Sequence, residues 1–562
     1  MRKFSLSSNY TLVAIAIIAS ALSLWPWFLL DISGDDFQHY SMIQCIGEHL
    51  WQGHLYPRWC MDANVGYGSP APMFYLTAPY YITALFYPLI SVGFTLRDML
   101  VIGIWIASIV GFITTTLWLS SITTKPRAIY CSFILLWLGY WAELSTFRIA
   151  YPELCAVALL PLLFLQVRNM VAFQRYHWGK LALTIMVCML FHTVAVMIGM
   201  MACGLYLLAH IRTHPKAMAW LVSAFIAAFA ATFFNWFQYA WFAPDLASII
   251  VTKDAWETGW ANNFVKLETI SDHLMFAIYG FLVVFLAIIF ATPFLRKPVL
   301  ITDVFVRKEL VLWGGICLFA FFMMFSPSRP LWDLIEAISY VRAPWRMQML
   351  TMFGFVFLLA IFSRYGFGSS GKVRRGDALA FAILLMFLNL TTVSPATPDA
   401  SERRMVMLKY LNMFSFASTK WSDEKYIQIE PFYKDYVVNK AANPLSSASG
   451  KAKLTPVDWS YGNIAFDTSS TQADTIRIDQ FYFPTWRATI DGVDAELKPR
   501  EDGKGLMMVD VPAGKHDVRV VLDWTNPLPS YYRLIVLMSA LSFLLIIGSF
   551  FWHSRKMKKQ SV

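Results

Sequence analysis

The sequence predicts a polytopic α-helical membrane protein with a β-rich outer domain close to its C-terminus. Three observations carry that expectation. Of 562 residues, 57% are apolar and only 15% charged, and the mean hydropathy is +0.51, whereas soluble domains carry about a quarter charged residues. Apolar runs of about twenty residues recur, each long enough to cross a hydrocarbon core of about 30 Å. The net charge of +10 sits in short loops between those runs, which is the positive-inside pattern of a membrane protein rather than a nucleic-acid face.

Taken in order, about twelve membrane helices are expected near 10–31, 98–120, 128–146, 153–171, 180–192, 194–211, 217–241, 272–295, 309–326, 347–363, 377–394 and 531–552. Met1-Arg2-Lys3 and Ala19-Ser20-Ala21 mimic a secretory signal with its cleavage site. The apolar run continues to Leu30, however, which favours an uncleaved first helix. With twelve crossings, the basic connectors Lys125 to Arg127, Arg168 to Lys180, Arg212 to Lys216, Arg296 to Lys308, Arg364 to Arg375 and Arg555 to Lys559 all share the N-terminal side, taken as cytoplasmic. The run 73–93 is apolar too, but counting it would move Lys125 and Arg127 outside, so it is expected as a juxtamembrane or partly inserted helix. The stretch 181–211 is too long for one helix and is expected as two short ones meeting near His192 and Thr193.

The chain therefore divides into a transmembrane domain at 1–394 with its first outer loop at 32–72, an extracytoplasmic β-rich domain at 395–530, and a last helix with a basic tail at 531–562. In the second of these, Thr475-Ile476-Arg477-Ile478 and Trp486 to Ile490 alternate as strands, Asp491-Gly492 marks a hairpin, and Pro512 to Lys515 turns the chain before Val518 to Leu522. A small β-sandwich is expected.

Chemistry concentrates in the first outer loop. Asp35 and Asp36 leave the first helix at the outer surface, and His39 follows Asp35 by four residues, on the same face if a helix forms. Two adjacent carboxylates beside His, Arg58 and Trp59 suit acid–base work at a membrane face; the plainer alternative makes one of them a helix N-cap. At the next outer turn Arg148 and Glu153 flank Pro152. Arg148 matches phosphate geometry, or it pairs with Glu153. Arg329, Arg342 and Arg346 are further outer arginines that break the positive-inside bias and call for an anion, a lipid headgroup serving equally well. His192 stands in an outer turn, with a structural role set against a site role.

Cys45 and Cys60, fifteen positions apart in one oxidising loop, either pair as a disulfide or remain thiols on separate faces. Cys131, Cys155, Cys188, Cys203 and Cys317 lie in apolar runs and suit packing. Gly366 to Lys372 matches both GxGxxG and GxxxxGK, but it follows a membrane helix and carries Val373 where a phosphate loop needs Ser or Thr, so nucleotide binding is rejected.

Gly34-Asp35, His39, Gly53, Tyr56-Pro57-Arg58-Trp59, Gly66-Tyr67-Gly68, Pro70 and Phe74-Tyr75 together resemble the first loop of the bacterial membrane family named pyruvoyl-tetrahydropterin-synthase-related. The resemblance continues at Arg148, Glu153, Leu160-Pro161, His192, Pro330-Leu331-Trp332, Pro344-Trp345-Arg346, Phe481 to Trp486, Asp491-Gly492 and Pro512-Ala513-Gly514. It implies a branch of the GT-C superfamily: glycosyltransferases of the bacterial inner membrane that take a sugar from a polyprenyl-phosphate donor and pass it to an envelope glycan or lipid. Under it Asp35, with Asp36 beside it, is the expected catalytic base, and Arg148, Arg342 and Arg346 hold the donor phosphate. His39, Arg58, Trp59, Glu153 and His192 are further site candidates. Only Glu153 stands where the superfamily has a second acid, which leaves a divalent metal an open question. A flippase or transporter for lipid-linked glycans, or a non-catalytic polysaccharide-assembly protein, is the alternative reading.

Overall fold

The computed structural model describes residues 9–29, 36–74, 76–245, 261, 263–265, 303–335, 338, 340–341, 343–365, 443–500, 505–525 and 527–560. They form a mostly helical body joined to a β-sheet region near the C-terminus. Among them, five helices are long and apolar enough to cross a membrane: Leu96–Ser120, Tyr151–Ala172, Pro215–Asp245, Pro344–Arg364 and Tyr532–Trp552. A sixth span is counted if Lys125–Trp137 and Gly139–Thr146, bent by 53° at their junction, are taken together. The helices expected at 272–295 and 377–394, and the Gly366 to Lys372 loop, fall outside the described residues.

Breaks appear where local chemistry imposes them. The first apolar run does not make one long helix: Asn9–Ser23 ends before Pro26, which opens a separate turn at Pro26–Leu29, because proline lacks the N–H that would continue the ladder. The run 73–93 splits into a helix at Ala78–Ala84 and a 3₁₀ turn at Tyr87–Val92. Between Trp178–Phe191 and Thr193–Leu208 the chain breaks at His192, whose backbone is extended and whose imidazole accepts the N–H of Ala195 at 3.2 Å. That side chain caps the second helix and satisfies a donor the helix cannot use.

The sheet region holds nine short strands among the described residues. They are β1 Leu445–Ser447, β2 Lys453–Ser460, β3 Asn463–Ser470, β4 Asp474–Phe481, β5 Trp486–Ile490, β6 Val493–Ala495, β7 Leu497–Pro499, β8 Leu506–Val511 and β9 Gly514–Leu522. They pair antiparallel into a four-stranded sheet, β1-β4-β8-β7, and a five-stranded sheet, β2-β3-β9-β5-β6. Asp491 and Gly492 turn β5 into β6 with φ of +51° and +80°, the positive pair that a tight hairpin of matching twist requires.

One motif docks this region on the loop at 52–74 that follows the Asp36–Trp51 helix. The Gln480 amide accepts the Trp59 indole N–H at 2.9 Å and donates to Met61 O at 3.1 Å and Gly66 O at 2.8 Å. The N–H of Phe481 donates to Tyr67 O at 2.6 Å. Phe483 fills a socket against Phe242 and Phe74, with ring centroids 5.4 and 6.0 Å away, and Trp59 stands edge-on to Trp486 at 5.4 Å. Gly68 closes the joint with φ of +82°; a Cβ there would meet Gln480 Oε1 at 2.2 Å. A Cys45–Cys60 disulfide, with Cα atoms 5.5 Å apart, ties the loop to its own helix and limits the freedom of the unfolded loop.

Replacing Gln480 with Leu strands a buried indole donor and two carbonyls, so we expect a loss of about 1–3 kcal/mol. Gly68→Ala should cost at least as much, through strain and overlap together. Thermal melting of the purified full chain checks both, and unchanged melting in both variants would mean that the joint contributes little to stability.

Candidate functional site

Glu153 enters the fold at the third position of the Tyr151–Ala172 helix and is 1% exposed. An acid in a first turn is favoured by the partial positive charge of a helix N-terminus, but a carboxylate so buried also needs cationic partners. It collects two arginines, a tyrosine hydroxyl and a histidine from four segments. The Tyr140 hydroxyl donates to Oε1, and Arg148 Nη2 lies 2.8 Å from Oε2. Arg346 Nε stands at 3.6 Å and His192 Nε2 at 3.9 Å from the same oxygen. Arg148 Nε also lies 3.4 Å from Glu143. The Trp345 ring lies under both arginines, with Cζ to centroid distances of 4.7 Å for Arg148 and 5.6 Å for Arg346.

The turn that delivers Arg148 is irregular. Residues Glu143–Phe147 form a π-turn, closed by Arg148 N–H to Glu143 O at 2.7 Å. Ile149 follows in the left-handed region at φ +58°, a conformation costly for a β-branched residue and persistent only where its surroundings enforce it. His39 supplies that enforcement: its Nε2 lies 2.5 Å from Ile149 O and its Nδ1 is 2.7 Å from the Tyr80 hydroxyl. A carbonyl accepts only, so Nε2 carries the proton and Nδ1 accepts from Tyr80. Burial lowers the His39 pKa to about 4; the Ile149 hydrogen bond works against that shift and the positive charge of Arg148 adds to it.

Of the residues singled out in the sequence, Arg148, Glu153, His192 and Arg346 therefore meet, and His39 braces the same turn from the first outer helix. The Arg148–Glu153 ion pair, set in the sequence against a phosphate role, is formed. Asp36 opens the helix Asp36–Trp51, three residues before His39, while Asp35 and Arg342 lie outside the described residues. Arg329 sits apart, beside Asp333 at 3.8 Å. Trp59 is fully buried in the joint to the sheets, so its ring offers no open face, and Arg58 lies at that seam. Among the described residues no group of three or more His, Cys, Asp or Glu is placed to hold a metal ion.

Tyr140, Glu143 and Tyr80 were not singled out in the sequence, whereas Trp345 stood in the Pro344-Trp345-Arg346 motif. Glu143 carried a signal, since an ionisable residue inside an apolar run is a functional candidate by default; the two tyrosines carried none. A second buried pair was also missed. Arg168 clamps Glu309 through two bonds of 2.8 and 2.9 Å, with Tyr206 donating to the same carboxylate at 2.9 Å. Arg168 was expected in a solvated connector. It lies fifteen residues beyond Glu153 on one helix, about 22 Å along the axis, so the two clusters occupy opposite ends of the bundle.

No protein-family model matches the chain, and no curated protein matches it at a significant level. The functional reading rests on the site.

Neutral His39 makes the Arg148 turn sensitive to acid. Because the folded pKa is depressed, the unfolded chain binds the extra proton between pH 6.5 and about 4. Stability is then full above 6.5, declines as the pH falls through that window, and levels off below about 4. Up to about 3 kcal/mol is at stake. Melting curves of wild type and His39→Gln across pH 4–7.5 check this: the variant should be less stable at neutral pH and show a shallower slope. Equal slopes would remove His39 as the source.

Proposed function

We propose that the chain is a GT-C-type glycosyltransferase of the bacterial inner membrane. It transfers one sugar, with inversion, from a polyprenyl-phosphate donor to an envelope glycan or lipid on the extracytoplasmic face. The observation that carries this reading is the His39 bridge. Asp36 begins the helix that holds His39, and His39 grips the carbonyl of Ile149 next to Arg148. Three helical residues rise only about 4.5 Å, so the acidic start of the first outer helix lies about one turn from His39, which holds the turn that carries Arg148. A carboxylate beside paired guanidiniums is what attack on a sugar phosphate requires.

In the proposed step the acceptor hydroxyl oxygen bonds to the anomeric carbon as the bond from that carbon to the phosphate oxygen breaks. Asp35 takes the hydroxyl proton, and the electron pair of the broken bond leaves on the polyprenyl phosphate. Arg148 and Arg346, with Arg342 in the same segment, offset the charge that develops there. Each guanidinium has five N–H donors in a fork suited to phosphate, and Glu153 engages only part of them. Glu153 thus holds the cations in place before the donor arrives, which is where electrostatic stabilisation gains most. Polar residues of the sheet region, docked on the first outer loop, orient the acceptor.

The same reading places twelve crossings in the membrane, both termini in the cytoplasm and the sheet region outside, as a small sandwich. Reporter fusions after Lys372 and Lys559 should read cytoplasmic, and one within 440–450 should read external. An external signal at Lys372 would overturn the helix count.

Catalysis is tested by transfer of labelled sugar in vesicles at matched expression. Asp35→Asn should lower turnover about 10²–10⁴-fold while leaving insertion intact, and Asp36→Asn should cost less. Arg148→Ala and Arg346→Ala should weaken donor use. Wild-type rates from both Asp35→Asn and Asp36→Asn would remove chemistry from this loop and put the flippase reading first.

A further inference from the structure

At the seam between the first outer loop and the sheets, the Arg58 guanidinium lies over the Trp524 ring from another segment, and neither it nor the Trp524 indole N–H has an acceptor among the described residues. The Arg58 guanidinium makes no ion pair and no hydrogen bond among the described residues; its only neighbours of note are aromatic. Its Cζ lies 4.7 Å from the Tyr56 ring centroid and 5.6 Å from that of Trp524, just past β9. The Trp524 indole N–H is itself buried and unpartnered. Half-buried arginines elsewhere reach at least one acceptor: Arg500 lies 3.4 Å from Asp479, and Arg97, whose Nε is itself unpartnered, donates through Nη2 to Trp27 O at 2.6 Å. Arg58 is held in place all the same. Its backbone N–H donates to the Tyr461 hydroxyl at 2.9 Å, and Tyr56 is anchored through its hydroxyl to Asn235 Oδ1 at 3.3 Å.

Guanidinium and indole N–H groups donate only, so the missing partner is an acceptor, and beside a cation an oxyanion fits best. We propose that Arg58 and Trp524 form a binding subsite for the carboxylate or phosphate of an acidic glycan. Exposed His54 and Leu55, the latter 74% exposed, border the seam and leave it open to a large ligand. The aromatic groups around Arg58 suit a carbohydrate, whose C–H faces pack on rings while its charged substituent meets the cation. As the acceptor site of a transferase the subsite rests on the function proposed above; as a binding site it stands without it.

Binding is therefore measured with no donor present, on the purified full chain in nanodiscs. The probes are an oligomer of glucuronic acid, a glucose oligomer of equal length, and short-chain phosphatidylglycerol as competitor. The glucuronate oligomer should bind and the glucose oligomer should bind at least about tenfold more weakly, a difference of about 1.4 kcal/mol. Arg58→Gln, which keeps the backbone N–H to Tyr461, should lower glucuronate affinity about tenfold. Trp524→Phe, which keeps a ring but removes the donor, should lower it several-fold. Both variants should melt near wild type. Equal binding of the two oligomers, wild-type affinity in both variants, or displacement by phosphatidylglycerol at matching concentration would each overturn the acidic-glycan assignment. The last outcome would give the cation to a lipid headgroup. Loss of transfer activity with intact glucuronate binding would count against the transferase and leave the subsite standing.

Discussion

A single buried carboxylate organises one end of the helical body. Glu153 draws together the Tyr140 segment, the Arg148 turn, the break at His192 and the start of the helix that follows Arg346. Losing it would leave Arg148 with Glu143 and Arg346 with the Val341 carbonyl as their remaining polar partners, and removing one partner of a buried ion cluster typically costs about 3–5 kcal/mol. Such clusters are poor sources of net stability, because desolvation offsets most of the attraction. What this one provides is position, holding two cations side by side at that end of the bundle.

The strained turn gains its meaning from the same cluster. Ile149 adopts a left-handed backbone that its branched side chain disfavours, directly after a π-turn. His39 and the Glu143 carbonyl hydrogen-bond the backbone at these irregular positions. Strain of this kind recurs where a fold must aim a side chain, and here the side chain aimed is Arg148. The first outer helix, the disulfide and the Gln480 joint form a chain of contacts from the sheets to that turn. Through it a ligand seated at the seam would reach the helix that begins at Asp36.

Much of the architecture could be read in the sequence, and the reasons are local. Length and apolarity mark the Leu96, Tyr151, Pro215 and Tyr532 spans, because a membrane core sets one length for all of them. Asp491-Gly492 announced its hairpin because few other pairs accept positive φ at both positions. The Lys453–Ser460 strand was less visible: it is an edge, largely exposed, interrupted by Pro456 and a register shift, so it lacks the alternation of a half-buried strand. The end of the first helix before Pro26 was hidden by counting apolar residues without weighing the missing N–H. Arg148 and Glu153 were readable as partners because they are five residues apart. Their meeting with Arg346 and His192 was not, since sequence does not say which distant outer turns share a corner. Arg168 was misplaced for a related reason, as its partner Glu309 lies far along the chain.

The central claim is that the Asp35 end of the first outer helix and the Arg148–Arg346 pair form one site for a lipid-linked phosphate. A cryo-electron microscopy structure of the full chain with a bound polyprenyl monophosphate tests it most directly. The account predicts the phosphate within about 3 Å of both Arg148 and Arg346, with the Asp35 carboxylate facing the position of the departed sugar. A phosphate seated elsewhere, with both arginines still held at Glu153 and their other protein partners, would contradict it.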